Sequence, residues 1–251
     1  MRNIKLTLEY DGTDFCGWQR QANDRTVQAE VERSLSMLTE ATVTVTAAGR
    51  TDSGVHAAGQ VVNFKTESAL PLTAFVRGGN SRLPRDVRIL DAAEVPLDFN
   101  ARYAAKARLY RYTISKRPRA IGRQYAWHYW RPLEVEAMRA CCAAILGTHN
   151  FRSFCQSGAA VNTYLCDVRY AWWSENEDAY VFEICANRFL HGMVRILVGT
   201  MVEIGEGRDD DRTLKEILQA GDRTVAGPTA PAVGLSLMSV FYDEPKFEEA
   251  S

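Results

Sequence analysis

Hydrophobic periodicity along this chain alternates between two residues and about 3.6 in a fixed order, and then runs through that order a second time. Ile4, Leu6, Leu8 and Tyr10 alternate as the buried face of a strand. After the turn-rich DGTDFCGWQRQ, Thr26 is placed to cap a helix whose Val27, Val31, Leu35 and Leu38 follow helical spacing. TVTVTAA reads as a second strand and QVVNFKT as a third. PLTAFVRGGNSRL reads as a short helix opened by Pro71 at its first position, and VRILDAAEV as a closing strand.

The second run starts with the strand ARLYRYTIS. PLEVEAMRACCAAILG follows as a helix, with Pro132 near its start and Gly147 past its end. YLCDVRYAWW and AYVFEICA are strands joined by the polar turn SENED. A helix from Leu190 carries Val194, Leu197, Met201 and Ile204 on one stripe, TLKEILQAG adds a short helix, and GLSLMSVFY closes the run. Each half thus has the β-α-β-β-α-β order of a ferredoxin-like unit. The expected fold is α+β: two tandem ferredoxin-like units with mostly antiparallel sheets side by side and helices packed on one face. The division is expected near Tyr103, giving residues 1–103 and 104–251.

Several classes are excluded by composition and spacing. No run of about 18 apolar residues is available to span a bilayer, and the alternating MRNIKLTLEY is unlike a signal peptide, so a cytoplasmic protein is expected. The six cysteines include no C-x-x-C pair and the four histidines no H-x₃₋₅-H spacing, so buried reduced thiols are expected rather than a metal site. Nucleotide-binding G-x-x-x-x-G-K-[ST], hydrolase G-x-S-x-G and metalloprotease H-E-x-x-H patterns are all missing.

The net charge is −1, yet the charges are unevenly spread. Between Asp98 and Glu134 there is no acidic residue, whereas nine basic residues lie there, from Arg102 to Arg131. Tyr103, Tyr110, Tyr112, Tyr125, Trp127, Tyr129 and Trp130 are interleaved with them. Guanidinium forks suit phosphate oxygens and aromatic rings suit bases, so this stretch points to nucleic acid.

The sharpest local feature is AAGRTDSGVHAAGQVV, a loop between two strand-like runs. It holds a lone carboxylate, Asp52, with Arg50 two residues before it and His56 four after. Asp-Ser-Gly is by itself an ordinary turn. Gly49 and Gly54, however, permit close backbone approach, and such a loop can press one side chain against a substrate. A single acid without a second one at a recognisable spacing does not suit the paired-acid scheme of glycosidases.

GRTDSGVHAAGQV resembles the signature of the bacterial tRNA pseudouridine synthase A family, whose motif contains G-R-T-D-x-G-V-H. The likeness continues through EYDGTDFCGWQRQ, FNARYAAKARLYRYTI, GTHNFRSF, NRFLHGMVR and GPTAPAVGLSL, which together run along most of the chain. GGNSRLP, in place of a G-V-N-x-x-L-P-like stretch, and Gly192, beside His191, are local departures. The resemblance implies isomerisation of uridine to pseudouridine at positions 38, 39 and 40 of the tRNA anticodon stem-loop. It further implies a homodimer, with tRNA as partner and neither cofactor nor metal.

By the same resemblance Asp52 is the catalytic aspartate, Tyr110 contacts the flipped base, and Arg195, in M-V-R, faces the aspartate. Arg50 is a second candidate to keep Asp52 ionised, and His56 is expected to orient the loop or touch RNA. Arg188, His191 and Arg195 are expected on one face of a helix beginning near Phe189. The alternative is a non-catalytic tandem module like RNA recognition motifs. It predicts a K/R-G-F/Y-G/A-F-V-x-F/Y pattern, which does not occur here, and leaves Asp52 unexplained.

Overall fold

The computed structural model describes residues 1–158, 161–207, 213–245 and 247. The chain is α+β, with mixed β-sheet and helices packed on one face. It divides into two compact units, Met1–Lys106 with Ser236–Asp243, and Ala107–Leu235 with the stretch from Glu244.

The first unit contains β1 (Arg2–Tyr10), α1 (Val27–Thr39), β2 (Thr46–Ala47), β3 (His56–Thr66), α2 (Leu72–Asn80) and β4 (Val87–Val95). β1 lies between β4 and β3, antiparallel to both, with Ile4 opposite Glu94 and Phe64. The alternation of β1 is buried as expected, Ile4, Leu6 and Leu8 being wholly enclosed. Val27, Val31 and Leu35 of α1 are buried too, and α2 packs on β4, with Phe75 edge-on to Phe64 at 5.6 Å.

Two expectations fail here for the same reason: groups elsewhere take the hydrogen bonds. The TVTVTAA stretch keeps only the two-residue β2, because Val43 N–H donates to Ser36 Oγ at 2.9 Å and Val45 N–H to Glu32 Oε1 at 3.1 Å, both on α1. Thr26 sits at the α1 N-cap but makes no side-chain cap. Val27 N–H instead donates to Gly17 O at 3.3 Å and Gln28 N–H to Trp18 O at 3.0 Å, so the preceding loop satisfies the helix's open donors. Pro71 is the cap residue of α2, one place before its expected position.

At the GGNSRLP departure α2 packs closely on its neighbours. A Cβ at Gly79 would stand 2.5 Å from Ile89 Cδ1, and one at Gly78 would stand 2.8 Å from Leu38 Cδ1. Both atoms are the ends of flexible side chains, so a larger residue here would be met by a shift of Leu38 or Ile89.

The second unit contains β5 (Ala107–Ser115), β6 (Trp127–His128), α3 (Val135–Ile145), β7 (Gly147–Asn150), β8 (Leu165–Glu175), β9 (Ala179–Ala186), α4 (Met193–Gly205) and α5 (Leu214–Ala220). Its sheet runs β5-β9-β8-β7, antiparallel throughout, with β6 parallel to the end of β5. α3 packs on β8 and α4, and α5 starts with a capping box between Thr213 and Glu216. The short β7 is an element that sequence reading misses, and Gly147 opens it at φ +88°.

The closing strand β10 (Leu235–Phe241) corrects the division by halves. From Ser236 on it belongs to the first unit, where Ser236 and Leu237 pair in parallel with His56 and Ala57 of β3. A Cβ at Gly59 would stand 2.4 Å from Met238 O, so glycine is what lets the two backbones pass.

Candidate active site

In the first unit the Asp52 loop and the β1–α1 loop form one clamp. Asp52 to Val55 is a backbone turn closed by Val55 N–H to Asp52 O at 3.1 Å, and Gly54 takes the left-handed conformation at φ +76° that a type II turn requires. The DGTDFCGW segment folds over this turn. Trp18 N–H donates to Thr51 O at 3.0 Å, Gly54 N–H to Phe15 O at 3.3 Å, and Ser53 Oγ to the same Phe15 oxygen at 3.2 Å. Gly17, at φ +86°, leaves no room for a Cβ, which would stand 2.9 Å from Thr51 O. Asp52 is left half-buried on a turn anchored from both sides.

Beneath the loop lies a buried polar chain. The Tyr10 hydroxyl and Thr51 Oγ1 share a hydrogen bond of 2.8 Å, and Gln60 Nε2 donates to Gly49 O at 3.0 Å. Burial pushes the Tyr10 hydroxyl up to about 12, against the smaller opposing effect of its bonds to Thr51 and Gln60. Tyr10 therefore braces the loop as a neutral group. His56 is 3% exposed, and its Nδ1 accepts from Gly12 N–H at 3.0 Å, with Asp11 Oδ1 3.1 Å from the same nitrogen. It ties β3 to the start of the β1–α1 loop. Arg50 is exposed.

The second unit holds the remaining predicted residues. Tyr110 of β5 is 8% exposed and stands edge-on to Phe189 at 5.0 Å. Its strand neighbour Tyr112 is a core residue whose hydroxyl donates to Pro231 O at 2.7 Å. Burial raises the Tyr112 hydroxyl well above its ordinary value, with the Arg195 charge opposing. Arg195 lies in the first turn of α4, and its Nε donates to Ala230 O at 2.7 Å. Ala230 N–H donates back to Arg195 O at 3.0 Å, so the GPTAP segment is laced to the helix.

The expected helical face of Arg188, His191 and Arg195 is not formed. α4 starts at Met193, because Gly192 is its N-cap in the left-handed conformation at φ +71°, and Arg188 and His191 precede the helix. Glycine beside His191 is thus what starts α4 where it does.

A model of the tRNA pseudouridine synthase family matches residues 7–104 and 141–243. The tRNA pseudouridine synthase A of Moorella thermoacetica is 46% identical over 95% of this chain and 99% of its own length. Its counterparts in Halalkalibacterium halodurans, 45% identical over 94% of this chain and 90% of theirs, and Caldicellulosiruptor saccharolyticus, 43% over 96% and 100%, are similarly close. The chain belongs to the tRNA pseudouridine synthase A family. It is accordingly an enzyme, a tRNA pseudouridine synthase. Of the predicted site residues in this family member, Asp52, Arg50, His56 and Arg195 fall within the matched spans, and Tyr110 falls between them.

The one-signed stretch between Asp98 and Glu134 is largely neutralised in space. Arg111 pairs with Glu183 at 2.9 Å, Arg117 with Asp178 at 3.0 Å and Arg131 with Glu206 at 3.3 Å, and Lys116 pairs with Glu175. Arg108 is buried, donating to Asn187 O at 2.7 Å. The end of β8, the β8–β9 turn, β9 and the residue after α4 supply these acids, all remote in sequence. The clamp residues Tyr10, Gly12, Gly17 and Trp18 escaped functional notice, although two glycines in so short a loop were a signal of close backbone approach.

Among the described residues no three His, Cys, Asp or Glu side chains gather to hold a metal, and no helix is long and apolar enough to cross a membrane.

Proposed function

We propose that this chain isomerises uridine to pseudouridine at positions 38, 39 and 40 of the tRNA anticodon stem-loop, with Asp52 as the catalytic carboxylate. The observation that carries the reading is the clamped turn: a half-buried acid on backbone pinned by Phe15, Trp18 and Val55, within the family's own motif. Catalysis gains most from groups held in place before the reaction begins.

The reaction breaks the N1–C1′ bond of uridine, turns the uracil, and joins C5 to C1′. The C5 proton is released and N1 takes up a proton, so substrate and product are isomers. Departure of the base builds positive charge at C1′, which the Asp52 carboxylate answers by bonding to it, by stabilising it, or by taking a sugar proton in a glycal route. Extruding the nucleotide costs a few kcal/mol, and stacking against a ring returns about 1–3 kcal/mol per base. In this reading Tyr110 is that ring, Arg195 is the countercharge of Asp52, and His56 and Tyr10 hold the loop.

The pattern of units supports a tandem ferredoxin-like architecture. In the first, β1 is central between β4 and β3, with β2 on the far side of β3, as in a split β-α-β-β-α-β fold. The reading includes a cytoplasmic homodimer acting without cofactor. The test is tritium release from tRNA labelled at uridine C5, with wild-type and Asp52→Asn proteins. Release by the first and tRNA binding without release by the second are expected. Free uracil as product would replace isomerisation with hydrolysis.

A further inference from the structure

The chain leaves β5 at Ser115 and returns beside it at Trp127 and His128, so residues 116–126 form a loop with its ends pinned together. Ser115 pairs in parallel register with His128, and Tyr129 N–H donates to Ser115 O at 3.1 Å. Trp127 packs edge-on against the core residue Tyr112 and against Tyr129, at 6.4 Å and 4.7 Å. Compact loops closed in this way are frequently functional.

Within the loop lies a cavity of about 210 Å³ lined by Ser115, Arg117, Arg119, Arg123 and His128. One carboxylate answers two of the three guanidinium groups. Asp178 takes Arg117 at 3.0 Å and Arg119 at 3.1 Å, and that double pairing lowers its carboxyl below the ordinary range. Arg119 Nε is buried with no hydrogen-bond partner among the described residues. Arg123 is exposed, and among the described residues its guanidinium is held only by Ala120 O at 3.1 Å. A guanidinium with no carboxylate among the described residues, a buried N–H without a partner there and an imidazole edge in one cavity are the donors that a phosphate oxygen takes.

We propose that this cavity holds a backbone phosphodiester of the RNA substrate at a nucleotide other than the one that reacts. The inference rests on the RNA-modifying reading above. What favours an RNA strand over a free anion is the setting: Tyr125 is 46% exposed and Trp130 is 73% exposed, and both flank the cavity residues in sequence. Exposed rings beside a cationic pocket are how single-stranded nucleic acid is gripped. The segment also lies in residues 105–140, between the two spans that the family model matches.

The experiment titrates wild type, Arg123→Ala, Arg123→Lys and Arg33→Ala with unmodified tRNA by filter binding at several salt concentrations, and assays each for tritium release. Arg123→Ala is expected to weaken tRNA binding several-fold and raise KM while kcat stays within about twofold. The slope of log K against log salt should shrink by about 0.7–0.9, the value of one phosphate contact. Arg123→Lys should recover most of the binding, and Arg33→Ala, which removes a guanidinium from α1, should have the smaller effect.

Unchanged affinity and slope in folded Arg123→Ala would overturn the proposal, as would a loss of kcat at constant KM. Inorganic phosphate binding that Arg123→Ala abolishes without weakening tRNA would mark a free-anion site and overturn it too. A wild-type protein that binds tRNA but releases no tritium defeats the catalytic reading instead, while the salt slope still judges the cavity.

Discussion

Gly12 and the carbonyl of Val55 touch so closely that a Cβ on Gly12 would stand 2.0 Å from the Val55 oxygen. The next peptide group beyond Val55 carries His56, whose Nδ1 accepts from Gly12 N–H at 3.0 Å. The two loops therefore meet backbone to backbone, with no flexible side chain between them to yield. Gly12→Ala should force the β1–α1 loop away from the Asp52 turn and cost about 1–3 kcal/mol. Thermal melting measures the cost, and tritium release should fall more than the loss of folded protein explains.

Asp52→Asn changes one oxygen for an amide nitrogen and leaves the turn intact, since the bond that closes it uses the Asp52 carbonyl. Turnover should fall at least about 100-fold, the scale for removing a single transition-state-stabilising group. Filter binding should show tRNA affinity within a few-fold of wild type. A mutant that turns over normally would remove Asp52 from the chemistry.

Alkali should destabilise the fold before it alters the chemistry. Burial pushes Tyr10 from an ordinary 10.0 up to about 12, Cys141 and Cys166 from 9.0 to about 11, and Cys142 and Cys185 to about 12. Above pH 9 the unfolded chain loses these protons while the folded chain keeps them, so the unfolded state binds fewer protons and stability falls as pH rises. The contribution is complete below pH 9 for the thiols and below pH 10 for Tyr10, and is lost by about pH 12. Urea midpoints under reducing conditions should decline across that window. Tyr10→Phe should decline less steeply above pH 10, its share being about 3 kcal/mol.

Gly199 makes the corresponding contact in the second unit. A Cβ there would stand 1.9 Å from Pro228 O, on the segment whose Ala230 exchanges hydrogen bonds with Arg195. Gly199→Ala should lift that segment from α4, lowering the melting temperature and freeing the Arg195 guanidinium from its carbonyl acceptor. Fluorescence-monitored melting and steady-state tritium release check the two effects. A kcat that holds steady while stability drops would separate Arg195 from catalysis.

Much of the architecture was legible because it depends on local periodicity. β4, β5 and β9 occupy the segments that alternation marks, and α1 buries the stripe that its spacing marks. Where the reading failed, a distant group had intervened. Ser36 and Glu32 withdrew the backbone donors of the TVTVTAA strand, the Gly17 and Trp18 carbonyls replaced the Thr26 cap, and Gly192 delayed α4 past Arg188 and His191.

The candidate site divides along the same line. By itself the sequence determined the Asp52 motif, the family, and the order of strands and helices, since each is written in adjacent residues or in their period. Tertiary structure alone decided that Tyr10, Gly12 and Trp18 would hold the Asp52 turn, that β10 would join the first unit, and that Glu175, Asp178, Glu183 and Glu206 would pair with five residues of the basic stretch. Hydrogen bonds and ion pairs depend on distance in space, and a one-dimensional pattern does not record which remote partner arrives first.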